Sequence, residues 1–331
     1  MRRFIGVIEE KRDFINKSME SLDLSNIHDL LKMPTSYAIS TGGKRLRPLI
    51  CTLCAEAVGG DYKETENAFL AIESLHNGTL VHDDIIDEDV YRRSNLSVPT
   101  KYGQKTAVLT GDALLSLGLR FAAKTGNLKV VEWLSETALK MVQGVALQTF
   151  FRRKIISEDT YLNINYLKSG SLFEAAAAIG GLVGSNDEKV VERFSVFGRY
   201  FGDAYQIRDD IGGIYAEDRN DELARSDLEN GDITLPMIYA LSSKTISNKD
   251  RDMIQSSYEG SGENIDLEEV QRIYSETGAI TKSIELMKSL AEKGRMSLID
   301  LPKSEAADCI NFLLDYYYRD FSPMVKLEPL V

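Results

Sequence analysis

Cysteine, histidine and proline are scarce in this sequence. Its 331 residues include 3 Cys, 3 His and 7 Pro. Two residues separate Cys51 from Cys54, and Cys309 lies far along the chain, so no disulfide framework is predicted. The Cys51–Cys54 pair also lacks a second Cys or His pair at the spacing of a zinc site. We expect these two residues to be small, buried thiols on a helix.

Long hydrophobic runs are also missing. The most apolar stretch, 172–183, is interrupted by Glu174 and by Gly180-Gly181, and no run reaches the ~20 apolar residues of a membrane-spanning helix. The amino terminus becomes acidic too soon for a secretory signal. The sequence therefore predicts a soluble, cytoplasmic protein without a membrane span, long enough to bury a large core.

Positive charge is in deficit, with 39 Lys and Arg against 51 Asp and Glu and a formal net charge of −12. Nucleic-acid binding depends on clustered Lys and Arg, so a nucleic-acid partner is not expected. An acidic protein that binds an anionic substrate must gather its few cations at one site or recruit metal ions.

Apolar residues recur at helical spacing in nearly every long segment. In 65–81, for example, Phe69, Ile72 and Leu75 follow steps of three residues along one face. No convincing alternating pattern of the kind that favours strands is found outside short loops. The sequence predicts one all-α domain spanning residues 1–331, with helices that cross a common core. The polar stretch 217–232 is predicted to be a solvent-facing loop.

Acidic residues close the helix that this segment predicts. Asp83 and Asp87 are four residues apart, so their carboxylates lie on one helix face and repel each other. Hard oxygen ligands of this kind suit Mg²⁺, which commonly bridges protein carboxylates to substrate phosphates. Taken alone, the pair is explained more simply as a solvated acidic helix end.

Three further features favour the metal site. Gly42-Gly43-Lys44-Arg45-Leu46-Arg47-Pro48 gathers three cations at a helix boundary, where Lys44 and Arg47 can face one phosphate, although a generic basic turn has the same composition. Arg92 and Arg93 follow Asp87 closely enough to lie over the same carboxylate face. On a second predicted helix, a polar face recurs at helical steps in Gln206, Asp209 and Asp210. Two acidic helix ends rimmed by cations would form a cage for a magnesium diphosphate.

At this point the chain resembles the trans-isoprenyl diphosphate synthases, or polyprenyl synthetases, of the archaeal geranylgeranyl or longer-chain type. The resemblance is carried by GGKRLRP (42–48), HNGTLVHDDIIDEDVYRR (76–93), LTGDALLS (109–116), YLKSGSLFEAA (166–176), AYQIRDD (204–210) and SDLENGDITLP (226–236). It implies the isoprenoid synthase fold, with antiparallel helices around a deep central cavity, in a protein that is usually dimeric; for this chain we expect a homodimer. The implied reaction is the Mg²⁺-dependent, head-to-tail condensation of isopentenyl diphosphate with an allylic diphosphate.

The resemblance also implies roles for single residues. Three Mg²⁺ ions would be held by two acidic motifs, and cations would grip the two diphosphates. For His76, a satisfied core histidine is the alternative. The implied metal residues are Asp83, Asp84, Asp87, Asp209 and Asp210. The allylic diphosphate would be bound by Lys168 and Arg92, and isopentenyl diphosphate by Lys44, Arg47, His76 and Arg93. The developing allylic cation would be stabilised by Ser169 and Gln206.

The sequence departs from the family pattern at several positions. Gly213 takes the last carboxylate position of the second acidic motif, and Glu222 and Asp232 stand where the family usually has lysines. Gln148 replaces a usual aspartate, and Ser94 replaces a glycine. These changes leave open a weakly active or regulatory subunit of a heteromeric synthase. A class I terpene cyclase is a further alternative, and an acidic helical scaffold is another.

Product length is the last property that the resemblance addresses. In the family, an aromatic residue one turn before the first aspartate closes the tunnel in which the product grows. Here Gly78 and Thr79 are both small, and Leu75 lies one turn deeper. The sequence therefore predicts a product longer than geranylgeranyl diphosphate, and Gly78→Phe is predicted to shorten it.

Overall fold

The computed structural model describes residues 2–185, 187–215, 230–259, 266–319 and 321. These residues are almost entirely helical, which confirms the all-α prediction. The first helices are α1 (Arg2–Glu20), α2 (Asp29–Ser40), α3 (Leu46–Ala57), a 3₁₀ turn (Tyr62–Thr65), α4 (Glu66–Ile86), α5 (Val98–Tyr102), α6 (Gln104–Lys124) and α7 (Leu128–Phe151).

The second half of the chain continues with α8 (Glu158–Asn165), which runs through a π-helical segment (Tyr166–Gly170) into α9 (Ser171–Gly184). The remaining helices are α10 (Glu188–Ile214), α11 (Leu235–Ser242), α12 (Asn248–Glu259), α13 (Leu267–Glu276), α14 (Ala279–Ser297) and α15 (Glu305–Leu314), followed by a second π-helical segment (Asp315–Arg319). Several helices begin after a polar cap; the Asp187 carboxylate, for example, accepts from the Lys189 N–H at the start of α10.

A short hairpin follows α4. Its strands are β1 (Tyr91–Arg92) and β2 (Asn95–Leu96), which pair antiparallel with Tyr91 opposite Leu96. The two turn residues, Arg93 and Ser94, have φ of 52° and 61°, the left-handed backbone of a tight hairpin turn. The turn thus sets the direction in which Arg92 and Arg93 leave the backbone.

Helix α9 is the centre of the core. Every residue from Ser171 to Leu182 is buried. A Cβ at Gly180 would collide with the Cys51 carbonyl oxygen of α3, and one at Gly198 of α10 would collide with the Phe173 carbonyl oxygen of α9. Small residues therefore bring α3 and α10 to backbone distance from α9.

The three cysteines are free and buried, which confirms the prediction of small buried thiols at Cys51 and Cys54. Burial raises the pKa of the Cys51 thiol to about 12. A thiol in this state is protonated at neutral pH and packs as a small apolar group.

One continuous core cluster runs from Ile8 of α1 to Phe321 among the described residues. The predicted single domain covers residues 1–331 and stays a prediction, because part of that span lies outside the described residues. Among the helices that the structure describes, α6 is long and apolar enough to cross a membrane by length and composition alone, and 44% of its apolar window is buried. The expected absence of a membrane span also stays a prediction.

Candidate active site

The carboxyl-terminal ends of α4 and α10 meet at a cavity of about 560 Å³. The cavity is also bordered by the loop before α3, the hairpin and the π-helical segment before α9. It brings together residues that the sequence predicted from distant segments: Lys44, Arg47, His76, Thr79, Asp83, Asp87, Arg92, Arg93, Lys168, Ser169, Gln206, Asp209 and Asp210. Of the predicted residues, Leu75, Gly78 and Asp84 are not among those that line it.

Asp83 and Asp87 form the acidic wall at the end of α4. The Asp87 N–H donates to the Asp83 carbonyl oxygen at 2.8 Å, so the two side chains lie one helical turn apart. Burial raises the pKa of Asp83; Lys168 opposes that rise, and Asp87 adds to it. The repulsion predicted from the spacing is therefore present, and a facing cation reduces it.

Asp84 has a different environment from its neighbour. Its side chain is buried, and it accepts a hydrogen bond from Arg92 Nε at 2.6 Å. Arg92 also donates to Asp89 at 2.8 Å. Burial raises the pKa of Asp84 to about 6, although Arg92 acts in the opposite direction. The position of Asp84 fits the orientation of Arg92 better than the predicted contact with metal.

The second acidic wall lies near the end of α10. Asp209 is 44% exposed, next to Arg208 at 3.6 Å. Asp210 is buried and accepts hydrogen bonds from Tyr161 Oη at 2.6 Å and from Gln206 Nε2 at 2.9 Å. Burial raises the pKa of Asp210 to about 6, while both hydrogen bonds lower it. Gly213, which takes a carboxylate position of the family motif, lies on the same wall.

A second cavity, of about 540 Å³, adjoins the first and is rimmed by cations. Lys44 Nζ lies 3.2 Å from the Tyr205 hydroxyl, and the Arg47 guanidinium stacks over the Phe173 ring at 4.2 Å. Arg93 also lines both cavities. Arg45, the third cation of the predicted basic segment, turns inward and forms a buried ion pair with Glu73 at 2.6 Å. Both residues of this pair border the second cavity.

His76 connects this cation cluster to α4. Its Nε2 lies 3.1 Å from Arg47 Nη1, so Nε2 accepts and the ring proton resides on Nδ1. Burial lowers the His76 pKa well below 6.5, and Arg47 and Arg93 lower it further. The Nδ1 atom is buried and has no hydrogen-bond partner among the described residues. His76 therefore acts as a neutral acceptor that orients Arg47.

Lys168 and Ser169 lie in the π-helical segment Tyr166–Gly170. A Cβ at Gly144 of α7 would collide with the Lys168 backbone, so the absence of a side chain there lets α7 pack directly on this segment. Lys168 lowers the pKa of both Asp83 and Asp210, which belong to opposite walls. The π-helical segment thus places one cation between the two acidic helix ends, a feature often found at functional sites.

The structure adds two cations that the sequence reasoning missed: Arg208 lines both cavities, and Arg152 borders a smaller pocket beside them. Arg152 follows α7, and its guanidinium donates to Asp232 and to Asp87. Asp232 was predicted to lie in the solvent-facing loop 217–232, but it is only 7% exposed and is paired with Arg152; residues 217–229 of that loop lie outside the described residues. In the sequence, the only hint of this cation was the pair Arg152-Arg153, which follows Gln148 by four and five residues. Glu222, the second reversed charge, lies outside the described residues.

The three residues predicted to set product length occupy different surroundings. Thr79 lines the main cavity. Gly78 faces α6, where an added Cβ would lie 3.1 Å from both the Gly111 carbonyl oxygen and Leu115 Cδ2. Leu75 is buried in the core. Of these residues, Thr79 is the one whose replacement changes the cavity directly.

The family model for polyprenyl synthetase matches residues 28–277 of this chain. A geranylfarnesyl diphosphate synthase of Methanosarcina mazei is 38% identical over 192 residues, which cover 58% of this chain and 64% of that protein. An octaprenyl diphosphate synthase of Escherichia coli is 31% identical over 271 residues, covering 80% of this chain and 82% of that protein.

Solved structures also match. The crystal structure of a geranylgeranyl pyrophosphate synthetase from Pyrococcus horikoshii is 27% identical and superimposes with a TM-score of 0.84. The match covers 97% of this chain and 99% of that chain. This agreement confirms the predicted arrangement of helices.

Because the pKa of His76 is lowered in the folded protein, the free energy of unfolding should depend on pH. In the unfolded chain a histidine takes up a proton near pH 6.5, whereas folded His76 does so only at much lower pH. Below pH 6.5 the unfolded state therefore binds more protons, and this one group lowers the free energy of unfolding by up to about 1.4 kcal/mol per pH unit.

We expect the stability of the unaltered protein to fall more steeply than that of His76→Gln between about pH 7 and pH 5.5. Urea denaturation across this range measures both slopes. The two proteins carry the same carboxylates, so the contributions of those groups largely cancel. Parallel pH dependences would show that folded His76 is free to take up a proton.

Proposed function

This chain belongs to the polyprenyl synthetase family, and from that premise we propose that it is a Mg²⁺-dependent trans-prenyltransferase. It condenses isopentenyl diphosphate with an allylic diphosphate, head to tail, and its product is geranylgeranyl diphosphate or a longer polyprenyl diphosphate. Both substrates dissolve in water, in keeping with a cytoplasmic location.

One observation carries the proposal: an acidic cavity adjoins a cation-rimmed cavity, and the two share Lys44, Arg47 and Arg93. A diphosphate with its metal ions fits the first, and a diphosphate without metal fits the second. This second pocket disfavours a terpene cyclase, which binds one diphosphate, and both pockets disfavour a scaffold without ligands. The reaction needs both substrates side by side.

The residues of the acidic cavity fit Mg²⁺. Asp83, Asp87, Asp209 and Asp210 offer hard carboxylate oxygens. Burial raises the pKa of Asp83, Asp209 and Asp210, and a divalent cation would favour their ionised forms. No three such side chains converge on one point in the described part of the chain. That fits Mg²⁺, which keeps several waters and shares substrate phosphates. Bound ions, three in our proposal, would neutralise the departing diphosphate.

The protein groups hold the allylic substrate for cleavage. Lys168 and Arg92 bind its diphosphate, and the carbon–oxygen bond breaks with both electrons leaving on that diphosphate. Ser169 and Gln206 present oxygen dipoles to the allylic cation; Gln206 donates its amide N–H to Asp210, which leaves its amide oxygen for this purpose.

Isopentenyl diphosphate completes the reaction. Lys44, Arg47 and Arg93 bind its diphosphate, and His76 orients Arg47. Its double bond attacks the allylic cation to form the new carbon–carbon bond. The released diphosphate then accepts the proton that restores a double bond in the product.

We further propose that the chain forms a homodimer through α6 and α7. Both helices expose large apolar side chains that are 44% to 63% accessible: Val108, Leu109, Leu119, Leu139, Val142 and Phe150. A second copy would cover these side chains, and contiguous exposed apolar patches often mark an interface. A heteromer with a related subunit is the alternative that the sequence left open.

The dimer is tested by placing charge among these exposed apolar side chains. Leu139→Glu with Val142→Glu should convert a dimer into a monomer, because two buried carboxylates have no partner at the interface. Analytical ultracentrifugation of the purified chain measures the change, with Leu30→Glu, exposed on α2, as a matched control. An unaltered chain that sediments as a monomer and gains activity only with a related subunit would replace the homodimer with the heteromer.

Catalysis is tested with the purified chain, Mg²⁺, isopentenyl diphosphate and an allylic primer. We expect Asp83→Asn to lower kcat by at least about 100-fold, because a preorganised charge at the reacting diphosphate is lost. Chromatography of radiolabelled product gives the rates. Asp308→Asn, an exposed change on α15, is the control. Full activity in Asp83→Asn or in chelator would contradict the proposed reaction.

Product length is tested at Thr79, which lines the cavity. Thr79→Phe should shorten the product, since the ring narrows the space one turn before Asp83. Thr79→Ser is the control and should leave the product unchanged. A phenylalanine at Gly78, the position that the sequence favoured, would first have to displace α6. An unchanged product distribution in Thr79→Phe, seen by reverse-phase chromatography, would remove Thr79 from this role.

A further inference from the structure

Arg152 connects two carboxylates from distant parts of the chain. Its Nε lies 2.9 Å from Asp232 Oδ1, and its Nη2 lies 3.2 Å from Asp232 Oδ2. The same Nη2 donates to Asp87 at the end of α4. The Arg152 side chain is 19% exposed and that of Asp232 is 9% exposed, so the ion pair is largely shielded from water.

The backbone, as well as the side chains, builds this arrangement. Arg152 ends α7 with φ −50° and ψ 137°. The next residue, Arg153, donates its N–H to the Gly231 carbonyl oxygen at 2.8 Å. The segments 152–153 and 231–232 are thus joined by a main-chain hydrogen bond beside the ion pair. Gln148, one turn before Arg152, is neutral, so no carboxylate at that position competes for the guanidinium.

The guanidinium also lies beside the acidic cavity. Arg152 and Asp232 border a small pocket together with Lys168, Gln206 and Asp210. Asp232 and Lys168 line the main cavity as well, with Asp83 and Asp87. Arg152 is therefore close to the cation that the proposed reaction assigns to the allylic diphosphate.

We propose that Arg152 binds the allylic diphosphate and that Asp232 is the positioning residue that holds its guanidinium. This inference rests on the proposed function. Two parallel contacts fix the guanidinium to Asp232, whereas a single nitrogen contacts Asp87. When substrate and metal occupy Asp87, the Asp232 anchor remains. Of the five guanidinium N–H groups, the two on Nη1 make none of these contacts, and they are the donors that the proposal assigns to a phosphate oxygen.

The positive charge of Arg152 explains how Asp232 can lie beside a bound diphosphate. A lone carboxylate at this position would repel the diphosphate. Paired with Arg152, it forms a neutral unit that still presents N–H donors to the substrate. Removing Arg152 therefore does two things at once: it deletes a donor, and it exposes the negative charge of Asp232.

The test measures binding without turnover. The ligand is an allylic diphosphate whose bridging oxygen is replaced by sulfur, and the method is isothermal calorimetry with Mg²⁺. We expect Arg152→Gln to weaken its binding by about 10- to 100-fold, the usual effect of losing a charge-assisted contact. Binding of isopentenyl diphosphate should change by less than about threefold. Arg152→Gln with Asp232→Lys should restore binding of the allylic analogue, because a cation returns to the same wall.

Arg193→Gln is the matched control, since it removes an arginine that pairs with Asp300 at 2.7 Å on an exposed surface. Binding in Arg152→Gln equal to that of the unaltered protein would overturn the assignment. Tighter binding would overturn it as well, and would show that Arg152 competes with metal for Asp87. If the unaltered chain binds neither ligand, the proposed function fails and this inference fails with it. If the unaltered chain binds both ligands and Arg152→Gln binds the allylic analogue equally well, only the role of Arg152 is refuted and the proposed function stands.

Discussion

The site depends on repulsion between the acidic ends of two helices, opposed by a few fixed cations. Asp83 on α4 and Asp209 and Asp210 on α10 have raised pKa values because the surrounding protein reduces the hydration of their carboxylates, although the Asp209 side chain stays 44% exposed. Lys168, on a third element, acts on both walls. A chain with a net charge of −12 can bind anions because its cations are gathered at this point. The protein leaves part of the repulsion unopposed, and in our proposal divalent cations neutralise that remainder.

Backbone packing determines where the opposing charges lie. Small residues on α9 and α10 let α3 and α10 press against α9. Arg47 lies at the start of α3, Lys168 lies just before α9, and Asp209 lies near the end of α10. The contacts that bury the core therefore also fix the separation of cations and carboxylates. Because a longer side chain at Gly180 or Gly198 would separate these helices, we regard core packing and charge placement as a single constraint.

The sequence predicted the helices and the two acidic walls from spacing along a helix, whereas Lys168 and Ser169 were implied only by the resemblance to a family. Asp83 and Asp87 share a face because of that spacing. The predictions were weaker where a side chain's direction depends on a neighbouring helix. The Asp84 side chain contacts Arg92, and Gly78 faces α6. Neither contact can be inferred from the sequence of α4 alone. The π-helical segment at Lys168 was hidden within an apparently regular helical pattern, and Arg152 depends on a contact across 80 residues.

The reversed charge at Asp232 shows how a departure from a family pattern should be weighed. Considered alone, Asp232 places a negative charge where binding of a diphosphate needs a positive charge. In the structure, Arg152 cancels that charge and Gln148 leaves Arg152 free to do so. The changes at 148, 152 and 232 therefore compensate one another, so that the charge at this wall of the cavity stays balanced. Because Arg152 pairs with Asp232, the carboxylate at this position does not by itself remove the diphosphate site. This compensation therefore favours a working diphosphate site over a subunit that has lost one.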